Sequence, residues 1–257
     1  MKILVIGDSC KDVYKYGICD RLDQEAPVPI FKEENETLYE GMTLNVANNV
    51  SSFGISCEII TNKKTISKIR YVDSRSNQLV MRIDQNDGVD RVKNIKQIDY
   101  KKYNAVIVSD YNKGFLKEND MEYISKEAKL SFLQTSKVLG NWCKDFNYIK
   151  INNYEYSNTL QFTKKTFLDE LNLIVTKGEK GVSYKGKDFP ILKPVMVRSL
   201  AGAGDTFLAA LVVSYLKSKN ITKSINFAQN ASKKAVSRLG ISIVGDKTNR
   251  KPKLIKI

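Results

Sequence analysis

Short apolar runs alternate along the chain with longer segments whose apolar residues recur at helical spacing. The runs that predict buried strands lie at residues 3–7, 58–61, 105–109, 132–133, 148–151 and 173–176. The segments with helical spacing lie at residues 44–53, 119–129, 205–217 and 225–239. Strands that alternate with helices predict βαβ units, and therefore a three-layer α/β fold around a mostly parallel sheet.

Two further segments, at residues 25–32 and 78–84, alternate apolar and polar residues instead. This alternation is typical of half-exposed strands. The pattern therefore predicts a small β flap, or lid, outside the main sheet, with strands from about residues 14–32 and 68–86. We expect residues 1–257 to form a single domain.

Composition limits the chemistry that the chain can perform. The chain is 42% hydrophobic and 27% charged, which predicts a soluble globular protein. It contains no histidine, so histidine-based catalytic triads and histidine-ligated metals are excluded. The four cysteines form no CxxC pair, and no apolar run is long enough for a signal peptide or a membrane-spanning helix. These features predict a cytoplasmic protein that has no membrane partner.

The net charge of +14 raises the question of nucleic-acid binding. Only eight of the 42 basic residues are arginine, and the lysines are scattered instead of being gathered in one stripe with aromatic residues. We therefore expect no nucleic-acid partner, although nucleic-acid binding remains an alternative hypothesis. A positive field also attracts anionic small substrates such as nucleotides and sugar phosphates.

The strongest chemical signal is AGAGDT at residues 201–206, directly before an apolar helical run. Gly202, Ala203 and Gly204 let backbone N–H groups approach a ligand closely. The helix that begins near Asp205 directs its positive dipole end to the same place. A carboxylate there can take a proton from a hydroxyl while the amides stabilise a transferring phosphoryl group. A glycine turn followed by a simple helix cap at Asp205 explains the segment equally well.

The chain resembles the ribokinase family, also called the PfkB carbohydrate kinases. GAGDT at 202–206 opens a helix in the C-terminal half, KINNYE at 150–155 is similar to the family's NxxE element, and TKGEKG at 176–181 is similar to its TxGxxG nucleotide loop. Residues 230–240 resemble the helix and turn beside its adenine pocket. The resemblance extends from residue 1 to about residue 245.

A narrower resemblance, to the heptose 7-phosphate kinase branch of this family, lies toward the other end of the chain. It is carried by Gly7-Asp8 with Asp12, by RLDQEAPVPI at 21–30, by SNQLVMRID at 76–84 and by SDYNKG at 109–114. EAPVP is the most specific of these segments.

The resemblance implies an ATP-dependent sugar kinase, with ATP and Mg²⁺ as cofactors. Asp205 is implied to be the catalytic base, and Gly202, Ala203 and Gly204 are implied to contact the γ-phosphoryl group. Asn152 and Glu155 are implied to organise Mg²⁺ through water, although a helix cap is the alternative for both. The implied nucleotide contacts are Thr176, Gly178, Gly181 and Asn230, and the implied sugar contacts are Asp8, Asp12, Gly41, Asn45 and Lys113. A turn aspartate is the alternative for Asp8, and a surface aspartate is the alternative for Asp12. Lys113 and Arg82 are candidates for contact with a distal phosphate, and a solvated surface charge is the alternative for either.

The implied substrate is a heptose 7-phosphate, phosphorylated at its anomeric hydroxyl, and the alternative is another sugar or nucleoside kinase of the family. Four features depart from the family pattern: Met42 beside Gly41, Ser199 and Ala201 before GAGD, QTSK at 134–137, and a short segment at 61–65. Met42, Ser199 and the short segment motivate a different hypothesis, a non-catalytic sugar or nucleotide sensor. A homodimer through the lid is implied by the resemblance alone.

Overall fold

Buried apolar strands form the centre of the fold. A computed structural model describes residues 1–246 and 251–255 of the chain. Within these ranges the strands are β1 (Lys2–Gly7), β2 (Ser9–Leu22), β3 (Pro29–Met42), β4 (Ser56–Thr61), β5 (Ile66–Asp73), β6 (Leu79–Gln85), β7 (Ala105–Asp110), β8 (Ser131–Thr135), β9 (Tyr148–Asn152), β10 (Leu173–Thr176), β11 (Val182–Tyr184), β12 (Lys187–Phe189) and β13 (Lys253–Leu254). The helices are α1 (Thr43–Ser52), α2 (Glu118–Glu127), α3 (Asn153–Leu160), α4 (Lys165–Glu170), α5 (Ala203–Ser218) and α6 (Ile221–Val236).

The main sheet has the order β12-β11-β10-β9-β8-β7-β1-β4-β13 in the described part of the chain. The pairs from β13 to β10 are all parallel, whereas β11 and β12 add an antiparallel edge. Val5 lies opposite Ile59 on one side and Ile107 on the other, so rows of buried branched residues cross the sheet. The predicted mostly parallel α/β architecture is confirmed. Because the strands are parallel, their carboxyl ends share one edge, where ligands bind in such sheets.

Helices cover both faces of the main sheet. The helices α1, α5 and α6 pack on one face around Val46, Leu208 and Ile225, while α2 and α4 pack on the other around Met121 and Leu168. Helix α5 is apolar on nearly all sides because it lies against the sheet and contacts both α1 and α6. Among residues 1–246 and 251–255, no helix combines the length and the apolar character that crossing a membrane requires.

A second, separate sheet corresponds to the predicted flap, and we call it the lid sheet. Its order is β3-β2-β5-β6. Its strand boundaries differ from the predicted ones, because residues 25–28 form the turn between β2 and β3, and β3 continues to Met42. The prediction missed residues 33–42 because most of this edge strand is exposed and its sequence is charged.

The start of α6 differs from the predicted one, and strands β11 and β12 and helix α3 were not predicted. Helix α6 begins at Ile221, four residues before the predicted start, because the Asn220 side chain caps it by accepting a hydrogen bond from the Lys223 amide at 2.9 Å. Strands β11 and β12 are three residues each, too short for a periodicity to be recognised. Helix α3 follows β9 without a connecting loop, and its sequence is polar.

Truncation of a buried side chain of α5 tests whether the burial of this helix stabilises the fold. Leu211 is 0% exposed, so Leu211→Ala is expected to lower the free energy of unfolding by about 2–5 kcal/mol in urea titrations. The matched control is Leu192→Ala, because Leu192 is 87% exposed and its loss should change that free energy by less than about 0.5 kcal/mol. Equal effects of the two substitutions would contradict the packing described here.

Candidate active site

Asp205 lies at the edge where the carboxyl ends of β7, β8 and β9 meet the beginning of α5. The helix starts at Ala203, and Gly202 precedes it in the left-handed conformation, with φ of 75°. Glycine adopts this conformation without strain, which lets the chain turn sharply into the helix. Asp205 therefore stands in the first turn of α5, and it is 5% exposed.

The Asp205 carboxylate accepts hydrogen bonds from side chains of three other elements. Asn45 of α1 donates from Nδ2 to Oδ2 at 3.1 Å. Gln134 of β8 donates from Nε2 to Oδ1 at 3.2 Å, and the hydroxyl of Tyr111 donates to the same oxygen. Gly202, not Asp205, is the cap residue, and no side-chain cap bond is present at this helix start. The capping alternative for Asp205 is therefore wrong, because its carboxylate faces the other side chains.

Burial raises the pKa of Asp205 above its ordinary value. The hydrogen bonds from Tyr111, Asn45 and Gln134, together with the charge of Lys150, oppose this shift. Burial and the adjacent carboxylate raise the pKa of Tyr111 well above its ordinary value, which keeps its phenol protonated as a donor. A carboxylate with a raised pKa is a stronger proton acceptor, as a general base requires.

The glycines beside Asp205 make room for neighbouring polar groups. A Cβ atom on Gly202 would lie 2.5 Å from Asn45 Nδ2, and one on Gly204 would lie 3.0 Å from Lys150 Nζ. The first amides of a helix have no acceptor within the helix, and they carry its positive dipole end. Among these amides, that of Ala203 already has an acceptor outside the helix, since it donates to Leu200 O at 3.3 Å. The arrangement can stabilise negative charge next to a proton acceptor.

Asn152 and Glu155 form a capping box at the start of α3. Asn152 Oδ1 accepts from the Glu155 amide at 2.8 Å, and Glu155 Oε2 accepts from the Asn152 amide at 2.8 Å. The hydroxyl of Ser136 donates to Glu155 Oε1 at 3.0 Å. The helix-cap alternative is thus observed, and the magnesium role remains a prediction.

The donor chemistry of this pair fits magnesium held through water. Amide and carboxylate oxygens are hard ligands of the kind that Mg²⁺ prefers, and each oxygen keeps a second lone pair for a water molecule. The described ranges hold no cluster of three or more Asp, Glu or Cys side chains able to ligate a metal. Mg²⁺ usually retains several waters and takes few protein ligands, so such a cluster is not needed.

The predicted nucleotide residues lie on a tight turn and on the neighbouring helix. Gly178 opens a short 3-10 helix, Gly178–Lys180, directly after β10. A Cβ atom on Gly181 would lie 2.1 Å from Phe189 O, so only glycine fits there. The Thr176 hydroxyl donates to Ile151 O at 3.3 Å, and Asn230 is exposed on α6. Thr176 ends β10 at the same edge of the sheet as Asp205, and the contacts of all four residues with a nucleotide remain predictions.

Asp8 anchors the segment that follows β7. It is fully buried between β1 and β2, and its carboxylate accepts from the amides of Tyr111 at 2.7 Å, Phe115 at 3.3 Å and Lys113 at 3.5 Å. These partners all belong to the segment after β7. The geometry makes Asp8 the residue that holds this loop in place, as a turn aspartate would, and its contact with a sugar remains a prediction.

Asp12 and Gly41 lie side by side on β2 and β3, where the lid sheet meets the main sheet. A Cβ atom on Gly41 would lie 2.1 Å from Asp12 Oδ2. Arg70 of β5 donates to Asp12 Oδ1, and its guanidinium lies 5.2 Å from the ring centre of Tyr14. Both charged groups are largely buried, with side-chain exposures of 6% for Asp12 and 16% for Arg70. Asn45 Nδ2 also donates a hydrogen bond to Gly202 O at 3.4 Å, so this side chain links α1 to the turn before α5.

The two basic residues considered for a distal phosphate both have acidic partners. Lys113 Nζ lies 2.6 Å from Asp87 Oδ2. Arg82 Nε lies 2.9 Å from Asp84 Oδ1 in the lid sheet. A substrate phosphate would have to compete with these carboxylates, and the contact of either residue with a distal phosphate remains a prediction.

Sequence reasoning missed four polar side chains of this site. They are Tyr111, Gln134, Lys150 and Arg70. Tyr111 lies within the SDYNKG segment, Lys150 opens KINNYE, and Gln134 was recognised only as a departure from the family pattern. Since each lies on a different strand or loop, only their pairing in the sheet shows that they converge.

Comparisons of the sequence with known proteins identify a family for this chain. The model of the family described as pfkB family carbohydrate kinase matches residues 56–248. The bifunctional protein HldE of Nitratiruptor sp. is 28% identical over 288 residues, which cover 93% of this chain and 62% of that protein. The bifunctional protein HldE of Helicobacter acinonychis is 29% identical over 297 residues, covering 94% of this chain and 64% of that protein. The chain thus spans less than two thirds of the length of these relatives.

Solved structures show the same fold at low sequence identity. Ribokinase from Thermotoga maritima gives a TM-score of 0.72 at 18% identity and covers 98% of this chain and 96% of its own. Phosphofructokinase-2 from Escherichia coli, in complex with substrates and products, gives a TM-score of 0.71 at 12% identity and covers 96% and 97%. These similarities confirm the predicted ribokinase-like fold.

Removal of the Asp8 carboxylate tests its structural assignment. Asp8→Ala leaves three amides after β7 without their acceptor, so we expect the free energy of unfolding to fall by about 1–3 kcal/mol in urea titrations. The control is Asp169→Ala, which removes an exposed ion pair with Lys165 and should cost about 0.3–0.5 kcal/mol. A D8A protein with unchanged stability would contradict the loop-holding role.

Proposed function

The chain belongs to the pfkB family of carbohydrate kinases, and from this membership we propose that it transfers the γ-phosphoryl group of ATP to a hydroxyl of a sugar phosphate. The observation that carries the proposal is the position of Asp205. Its buried carboxylate lies in the first turn of α5, next to the glycines that open the helix. A proton acceptor and a site for negative charge are thereby adjacent, as phosphoryl transfer requires.

In the proposed reaction Asp205 acts on the attacking hydroxyl. The hydroxyl oxygen of the sugar forms a bond to the γ-phosphorus, and its proton passes to an Asp205 carboxylate oxygen. The bond between the γ-phosphorus and the bridging oxygen breaks, and its electron pair leaves with ADP. Tyr111 and Asn45 orient the carboxylate through their hydrogen bonds, and the substrate hydroxyl approaches on the side that these donors leave open.

The first turn of α5 stabilises the transferring group in this proposal. Its amides and dipole end are fixed before the substrate arrives, so no reorganisation is needed when charge develops. Asn152 and Glu155 would hold Mg²⁺ through water. When bound, Mg²⁺ neutralises charge on the phosphate oxygens of ATP.

The finer proposal is that the acceptor is a heptose 7-phosphate, phosphorylated at its anomeric hydroxyl. Two observations support it: the similarity to HldE proteins over 93% and 94% of this chain, and the N-terminal segments that resemble the heptose 7-phosphate kinase branch. The sugar would lie between Asp205 and the lid sheet. Asp12 faces that space, and Arg70 fixes the orientation of its carboxylate.

An activity panel tests both levels of the proposal. ADP release with Mg·ATP is measured against heptose 7-phosphate, hexose phosphates, free sugars and nucleosides, and we expect turnover with heptose 7-phosphate alone. Asp205→Asn is expected to lower kcat by about 10²–10⁴-fold because the base is lost, with ADP affinity unchanged. Asp169→Asn is the control for the loss of one acidic charge.

The results of the panel separate the hypotheses. Turnover with only a different acceptor would support kinase activity but contradict heptose 7-phosphate as the substrate. Sugar binding without turnover of any acceptor would favour the sensor hypothesis. Turnover by D205N within severalfold of the parent would refute the assignment of the base.

The raised pKa of Asp205 predicts the acid side of the pH profile. Asp205 accepts a proton only when ionised, so kcat/KM should fall on acidification at a pH above the about 3.9 of an ordinary aspartate. Tyr111→Phe removes a donor that favours the ionised form, so the acid limb should move to higher pH. Tyr123→Phe, on the opposite face of the sheet, should leave the limb in place. A limb that stays fixed or moves to lower pH in Y111F would contradict this account.

A further inference from the structure

Lys150 is a buried cation at the carboxyl edge of the main sheet. Its neighbours on β9, Ile149 and Ile151, are fully buried in the apolar cluster that includes α2 and α4. Since side chains alternate along a strand, Lys150 projects toward the opposite face, where α5 lies. Lys150 is only 4% exposed.

The Lys150 ammonium is not ion-paired with any residue in the ranges that the structure describes. Its one hydrogen bond runs from Nζ to Gln134 Oε1, at 2.9 Å. An ammonium carries three donors, so two of them have no protein acceptor in these ranges. Lys137, the lysine that is 14% exposed at the end of β8, is by contrast held by Asp110 at 2.7 Å. Asp205 and Glu155 attract the ammonium through space, but neither accepts a hydrogen bond from it. Buried donors without acceptors are costly, so the two remaining N–H groups call for a ligand.

The direction of the Lys150 side chain indicates where such a ligand would lie. Its Nζ is 3.0 Å from the position that a Cβ atom on Gly204 would occupy, in the first turn of α5. The ammonium, the helix dipole and the unpaired amides of that turn thus bring positive charge to one place. Gln134 lies between Lys150 and Asp205 and bonds to both. The cation is therefore one side chain away from the candidate base.

We propose that Lys150 is a catalytic residue that binds the transferring γ-phosphoryl group with its free N–H donors. This inference rests on the proposed function. In the transfer step Lys150 keeps its proton, the sugar hydroxyl gives its proton to Asp205, and the electron pair of the breaking P–O bond leaves with ADP. The ammonium supplies charge to the equatorial phosphoryl oxygens from a water-excluded position.

A positioning role through Gln134 is the competing explanation for Lys150. In that case the ammonium would only orient the Gln134 amide, which in turn orients Asp205. The two explanations differ in their effect on nucleotide binding. Direct contact with the γ-phosphoryl group strengthens the binding of ATP relative to ADP, whereas orientation of Asp205 does not.

The test compares Lys150→Met with Gln134→Leu and with Lys129→Met, a control lysine that is exposed between α2 and β8. We expect K150M to lower kcat about 100-fold and to weaken binding of a non-hydrolysable ATP analogue about tenfold in calorimetry. Its ADP affinity should stay within about twofold of the parent. Q134L should leave the ratio of the two nucleotide affinities unchanged, and K129M should behave as the parent.

Three results would overturn the proposal. They are parental kcat in K150M, equal weakening of ADP and of the ATP analogue, and the same kinetic and nucleotide-binding changes in K150M and Q134L. Lys150→Gln provides the same comparison if K150M does not fold, because it keeps a polar end without the charge. The nucleotide comparison needs no sugar acceptor. An absence of turnover in the parent would count against the proposed function, while selective loss of ATP-analogue affinity in K150M would still support the Lys150 contact.

Discussion

The hydrogen bonds to the Asp205 carboxylate hold the site together, because a carboxylate taken out of water needs donors from the protein. Asn45 comes from α1, Tyr111 from the loop after β7, and Gln134 from β8. No two of these donors are near each other in the sequence. The parallel pairing of the sheet and the packing of α1 against α5 must both be correct before the carboxylate is satisfied. The apolar burial of α5 therefore serves the site as well as the core, since it fixes the helix start against the strand ends.

The connection between the two sheets depends on a second buried carboxylate. Asp8 is the single residue between β1 and β2, so the main sheet passes almost directly into the lid sheet. The same side chain holds the loop that carries Tyr111. Asp12 follows on β2 and is oriented by Arg70 from β5. One short stretch of chain thus links the lid sheet at Asp12, the loop after β7 and, through Tyr111, the Asp205 carboxylate.

The sequence predicted the features that depend on neighbouring residues. The strand at 105–109 is an uninterrupted apolar run, and the segment from Gly202 to Asp205 forms its turn and helix start from contiguous residues, so both were evident from the chain itself. Features that depend on partners far along the chain were not evident. The amides that donate to Asp8 lie more than 100 residues away, and the charged β3 is a strand only because β2 pairs with it. Lys150 and Gln134 become neighbours through the β8–β9 register.

Lys150 and Gly204 share one small volume, and this has an evolutionary consequence. While the long side chain occupies position 150, a side chain at position 204 would press against its ammonium. Replacement of Lys150 by a shorter residue would remove that restriction and also remove a positive charge. Because the contact at 3.0 Å involves the end of a flexible side chain, a shift of a few tenths of an ångström would relieve it, and the two positions are expected to covary only loosely among diverging sequences.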